Sequence, residues 1–221
     1  MVQEIDRGTY HVRLFLDETA ALPGILYLIG DDGAGETLWN RLRVPRPALA
    51  VVSGMDWNRE LSPWQAEKVF SKGEDFMGEG EDFLFVLTDT LIPETETRLP
   101  FSPSFRGIAG YSLAGLFALW ALYQTDRFDR AASLSGSLWF DGFVPFAETH
   151  PLRQRPEMII LSYGDREPGT RNERMRTVGL CTERLAVFYA EKGIPTQFSV
   201  RPGGHFDRVE ETIADGLNSL Y

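Results

Sequence analysis

The chain has 221 residues, of which 43% are hydrophobic and 24% charged, enough to bury the core of one domain and too apolar for a disordered segment. Lys and Arg number 22 against 32 Asp and Glu, a formal charge of −10, which argues against a general nucleic-acid binder and against steering of highly anionic substrates. The single Cys181 excludes a disulfide framework or cysteine-rich zinc site, and three histidines without HExxH exclude a zinc protease, so no metal site is expected. Met1 to Arg7 lack the basic start and apolar run of a signal peptide, and no stretch approaches the roughly 18 apolar residues of a membrane span. The expectation is one cytoplasmic domain over residues 1–221 that engages neither membrane nor nucleic acid. Its oligomeric state does not follow from the sequence.

In chain order, Thr9 to Leu16 alternates partly, with Val12, Leu14 and Leu16 on one face, and reads as a half-buried strand. Gly24 to Gly30 is a short apolar run between glycines, a buried strand followed by a polar loop from Asp31 to Glu36. Ala48 to Val52 is the next strand. Ser62-Pro63 predicts a helix through Lys72, with Pro at its first position. A second helix is predicted from Glu79 to Ile92. Its acidic start suits the helix dipole, Phe83, Leu87 and Leu91 recur every four residues, and Pro93 stops it. Arg106 to Tyr111 is a strand and Leu113 to Tyr123 a strongly apolar helix. Strands at Arg130–Leu134, Glu157–Ser162 and Thr196–Arg201 then alternate with helices at Asn172–Lys192 and Phe206–Leu217. Such alternation predicts an α/β fold: a mainly parallel sheet with helices on both faces and reactive groups at the carboxyl ends of the strands.

Gly110-Tyr111-Ser112-Leu113-Ala114-Gly115 lies where a strand meets a helix, the context of a nucleophile elbow. Glycines leave room for the sharp turn, and a serine at the helix N-terminus sits where an oxyanion is favoured. Ala114 stands where the usual pattern has its second glycine. A serine hydroxyl needs a base. His11 lies in the first strand and His150 in a loop after a helix. His205, in Pro202-Gly203-Gly204-His205-Phe206, follows the last strand. The acid belongs between them, in Gly164-Asp165-Arg166-Glu167. Glu167, three past the glycine, is preferred, with Asp165 in reserve.

These blocks, together with Ser133-Leu134-Ser135-Gly136-Ser137-Leu138-Trp139, resemble the "putative esterase" family of the α/β-hydrolase superfamily, which includes esterase D-like and enterochelin-esterase-like proteins. The resemblance runs in order over about residues 8–218. It implies an α/β-hydrolase fold with no large lid. It also implies hydrolysis of a small-molecule ester through an acyl-serine, without metal or organic cofactor, Ser112 being the nucleophile and His205 the base. The oxyanion hole is expected from the backbone N–H of Leu113 and of Asp31, the residue after Gly30. Trp57, Arg59, Tyr111 and Trp139 are candidate pocket residues, Phe140 and Phe143 candidates for the far wall, and Phe76-Met77-Gly78 a candidate flap. An open cleft suits short or bulky soluble esters. Siderophore trilactones are one class the resemblance offers, with Arg59 or Arg171 countering charge. The same serine would serve a thioesterase, an acyltransferase or a peptidase. A silent binding domain is the reading from another class, and the ordered Ser, acid and His argue against it.

Overall fold

The computed structural model describes residues 1–17 and 21–221. An eight-stranded sheet runs through it in the order β1 (Val2–Arg7), β2 (Tyr10–Phe15), β4 (Arg46–Ser53), β3 (Ala21–Ile29), β7 (Arg106–Tyr111), β8 (Arg130–Leu134), β9 (Met158–Gly164), β10 (Thr196–Arg201). The pairs β1–β2 and β2–β4 are antiparallel and all others parallel. Pro23, which cannot donate to a ladder, falls where the β3–β4 register shifts between Ala21 and Ile25. This is the mainly parallel sheet the alternation predicts, in the α/β-hydrolase arrangement the resemblance implies.

The period-two pattern of the central strands divides the core. Ile25, Tyr27 and Ile29 face one layer with Ile108, Ala131 and Ile159. Leu26 and Leu28 face the other with Ala109, Ala132 and Ile160. The second layer is closed by α1 (Gly35–Arg41) and α8 (Val209–Asn218). The first is closed by α3 (Gly80–Val86), α4 (Ile92–Glu96), α5 (Leu113–Gln124), α6 (Phe143–Thr149) and α7 (Val178–Glu191). Leu113 through Tyr123 of α5 are all buried, which is why its sequence shows no polar stripe. Among the described residues no helix is long and apolar enough to cross a membrane.

Six segments depart from the sequence reading. β1 was not expected, because only Ile5 of its six residues is buried. α1 was read as part of a polar loop. The predicted helix over 62–72 is absent: after one turn, α2 (Trp57–Glu60), the chain forms a hairpin of β5 (Gln65–Ala66) and β6 (Phe76–Met77). The buried Ser62 hydroxyl explains this. It donates to Asn58 O at 2.8 Å and accepts from Gly78 N–H at 2.8 Å, closing a loop base where a helix would have begun. Nor does Pro93 stop the helix from residue 80. A π turn over Leu87–Leu91 precedes it, the Ile92 N–H bonds Leu87 O, and the helix runs on to Glu96. The wider turn accommodates the proline ring and its missing donor. α7 starts at Val178 rather than Asn172, whose side chain instead accepts from the N–H groups of Arg174 and Met175 at 3.0 Å each. α8 starts at Val209 rather than Phe206.

Candidate active site

Ser112 sits between β7 and α5 with φ 58° and ψ −124°, a conformation costly for a non-glycine residue. The close approach around it demands Gly110: a Cβ there would lie 2.2 Å from Ala114 O. At Gly115 a Cβ would lie 2.9 Å from Gly110 O, so the glycine facing the strand is residue 115, and Ala114 fits in the preceding place. Ser112 N–H donates to Leu134 O at 3.1 Å, and Ser112 O accepts from Gly115, Leu116 and Ser137 N–H at 3.0, 3.2 and 2.9 Å. Leu113, the first helical residue, presents an N–H without an intrahelical acceptor, beside the Ser112 hydroxyl.

His205 follows β10, and its Nε2 is 2.9 Å from Ser112 Oγ. Its Nδ1 is 2.9 Å from Glu167 Oε2. Glu167, 8% exposed, also accepts from Gly164 N–H through Oε1 at 2.6 Å. Burial pushes its carboxyl up, but hydrogen bonds from His205, Gly164 N–H and Ser135 outweigh this and hold it below the usual carboxylate range. The sequence-preferred acid is therefore the one beside the imidazole. Asp165, the reserve, is exposed and turned elsewhere, accepting from Gly203 N–H at 2.8 Å. The loops after β9 and β10 are also joined by Arg166 N–H to Gly203 O at 3.0 Å and by the Arg166–Asp207 ion pair at 2.6 Å.

A cleft of about 590 Å³ opens onto Ser112, Glu167 and His205. Trp57 and Trp139 line it, as read from the sequence. Arg59 and Tyr111 do not. The Arg59 guanidinium is 2.7 Å from Glu79, and the neighbouring Asn58 meets the cleft instead. Tyr111 is a support for the histidine loop: its hydroxyl, pushed up to about 12 chiefly by burial, donates to His205 O at 2.5 Å. Phe140 and Phe143 are buried in the core rather than in the cleft wall. Phe76 of the expected flap is anchored on Phe140, ring centroids 5.1 Å apart. Asp31 is exposed and outside the cleft lining, two residues past the Ile29–Gly110 register pair that sets β3 beside β7. Its carboxylate accepts from Gly33 N–H at 3.1 Å. Among the described residues no cluster of His, Cys, Asp and Glu could hold a metal ion.

The family model described as "Putative esterase" matches residues 24–209. The chain belongs to this esterase family. Among curated proteins the esterase is similar to the uncharacterized protein YbbA of Bacillus subtilis (strain 168), 26% identical over 161 residues, covering 72% of this chain and 64% of that protein's length. The match thus spans somewhat less than two thirds of that relative. Among solved structures it is similar to the siderophore hydrolase EstA from Aspergillus nidulans, with 18% identity, TM-score 0.75, and 100% and 93% of the two chains covered. It is also similar to an IroE-like serine hydrolase from Shewanella oneidensis, with 15% identity, TM-score 0.81, and 99% and 79% covered. At these identities the structural likeness speaks for the shared fold.

The sequence reading missed several residues of the esterase's cleft. Ser137 lies in the Ser-Gly-Ser block already noted, which was the available signal, and its N–H donates to Ser112 O at 2.9 Å. Met175 enters from the turn before α7 and Val178 from the first position of α7, and Lys68, Val69 and Phe70 from the hairpin loop, which the helix reading had placed elsewhere. Phe206 adjoins the histidine in sequence, yet was read as the start of a helix.

Proposed function

We propose that this esterase hydrolyses small or bulky soluble carboxylic esters through an acyl-serine intermediate, with Ser112 as nucleophile, His205 as base and Glu167 as acid. The observation that carries this reading is the unbroken hydrogen-bonded path from Glu167 Oε2 to His205 Nδ1 and from His205 Nε2 to Ser112 Oγ, 2.9 Å at each step. Ser112 Oγ attacks the ester carbonyl while its proton passes to His205 Nε2. Glu167 holds the imidazole in the required tautomer and balances its positive charge. The tetrahedral oxyanion accepts from Leu113 N–H at the start of α5. His205 returns the proton to the departing alcohol oxygen, leaving the acyl-serine. Water, deprotonated by the same imidazole, then releases the carboxylic acid and regenerates Ser112.

The cleft favours an ester with an apolar part, since Val69, Phe76, Leu113, Trp139, Met175 and Val178 line it. Siderophore esters, the class named for the Aspergillus neighbour, belong in the substrate panel. The test is labelling by a fluorophosphonate, followed by turnover of a p-nitrophenyl ester series. The native protein is expected to label and Ser112→Ala to lose both label and turnover. A native protein that takes no label ends the serine-hydrolase reading.

A further inference from the structure

Phe206 is 86% exposed, an unusual setting for a phenyl ring, and it stands at the mouth of the cleft next to His205. It is not loose. Gly204 N–H donates to Asp207 Oδ2 at 2.8 Å and Asp207 N–H to Gly204 O at 3.0 Å, so a closed turn brackets residues 205 and 206. The ring meets the His205 imidazole edge to face, with centroids 5.1 Å apart. A rigid turn thus keeps an aromatic face in water beside the reacting imidazole, at a standing hydrophobic cost.

The chemistry says which half of an ester lies there. The proton that His205 takes from Ser112 must go to the departing oxygen, so the alcohol portion occupies the His205 side of the scissile bond. The cleft residues on the two loops carrying Glu167 and His205 are Arg166, Gly169, Thr170 and Phe206. The Arg166 charge is already matched by Asp207. This wall therefore offers an apolar ring, small polar groups and no unmatched charge.

We infer that Phe206 is the platform of an alcohol subsite, and that the esterase is built for esters of neutral aromatic alcohols, whose ring stacks on Phe206 as the bond breaks. The inference rests on the serine-hydrolase reading and deepens it by naming the alcohol class. Because the ring is solvent-exposed, its removal leaves the core intact.

The experiment compares native protein, Phe206→Ala and Phe206→Trp on two ester series. One holds the acyl group as acetate and varies the alcohol from ethyl to phenyl to 2-naphthyl. The other holds the alcohol as methyl and lengthens the acyl chain. Relative to native, the naphthyl-to-ethyl ratio of kcat/KM is expected to fall about tenfold in Phe206→Ala and to be kept in Phe206→Trp. The acyl-series ratios should stay put, and inhibition by free 2-naphthol should weaken in parallel. An alcohol ratio within twofold of native in Phe206→Ala, or an equal change in the acyl series, overturns the subsite. Fluorophosphonate labelling separates the two claims: label with an unmoved ratio sinks the subsite alone, and no label on native protein sinks the hydrolase reading and this inference with it.

Discussion

Two regions meet at the reacting serine, and they are held by different means. Below it, the β7–α5 elbow is backbone against backbone: Gly110 faces Ala114 O and Gly115 faces Gly110 O with no space for a side chain. Above it, the hairpin between residues 65 and 77 is tied by single polar contacts. Asn172 Nδ2 reaches Val69 O at 2.9 Å, Arg174 reaches Glu67 O at 2.5 Å, and Asn58 Nδ2 reaches Glu74 O at 3.0 Å. Its apolar anchors are Phe76 and Trp64 against Phe140 at the base and Val69, half-buried against the core, in the loop. Close packing forbids small displacements, whereas exposed polar ties are individually worth about 1 kcal/mol. The floor can therefore fix an attacking atom while the roof changes side chains and, with them, substrate.

The contrast can be broken at its strongest point first. In the proposed mechanism His205→Ala lowers kcat/KM by about 10³-fold or more, and Glu167→Ala by less, because the imidazole still reaches Ser112. Equal activity of His205→Ala and native protein removes the base assignment. Next come floor and roof compared directly by urea unfolding. Gly110→Ala forces a Cβ against Ala114 O and is expected to cost about 3 kcal/mol or to prevent folding. Ser62→Ala strands the Gly78 N–H at the hairpin base and is expected to cost about 1–2 kcal/mol. If Ser62→Ala proves the more damaging, the floor is not the rigid partner. The smallest effect is electrostatic. The Glu167 carboxyl is held below its ordinary value, so its stabilisation is complete above that value and is lost as pH falls through the folded-state value. The stability gap between native protein and Glu167→Gln should accordingly shrink on acidification, and a gap that widens would refute the charged partner.

What could be read from the sequence follows the same divide. The strand, turn and helix around Ser112 are dictated by neighbours in the chain: glycines where a Cβ cannot fit and an apolar run with no polar face. The histidine loop and Glu167 were legible because chain order and strand ends limit where an acid and a base can stand. The segment from Ser62 to Gly78 was not, because its Ser-Pro start is overruled by bonds from the Ser62 hydroxyl to residues 4 before and 16 after it. Pro93 misled in a related way: the π turn that accommodates it is set by packing of Leu87 and Leu91 in the core, which no single-residue rule encodes. Arg59 looked like a substrate-facing cation only because its partner, Glu79, is 20 residues distant.

The bonds between the loops after β9 and β10 have a thermal consequence. They make acid and base one body carried by the sheet margin, where β10 has a single neighbour, while the attacking hydroxyl belongs to the interior. Heating that frays the margin separates the two bodies before the interior melts. Loss of turnover should then precede loss of far-ultraviolet dichroism, and it should be recoverable on cooling from any temperature in that interval.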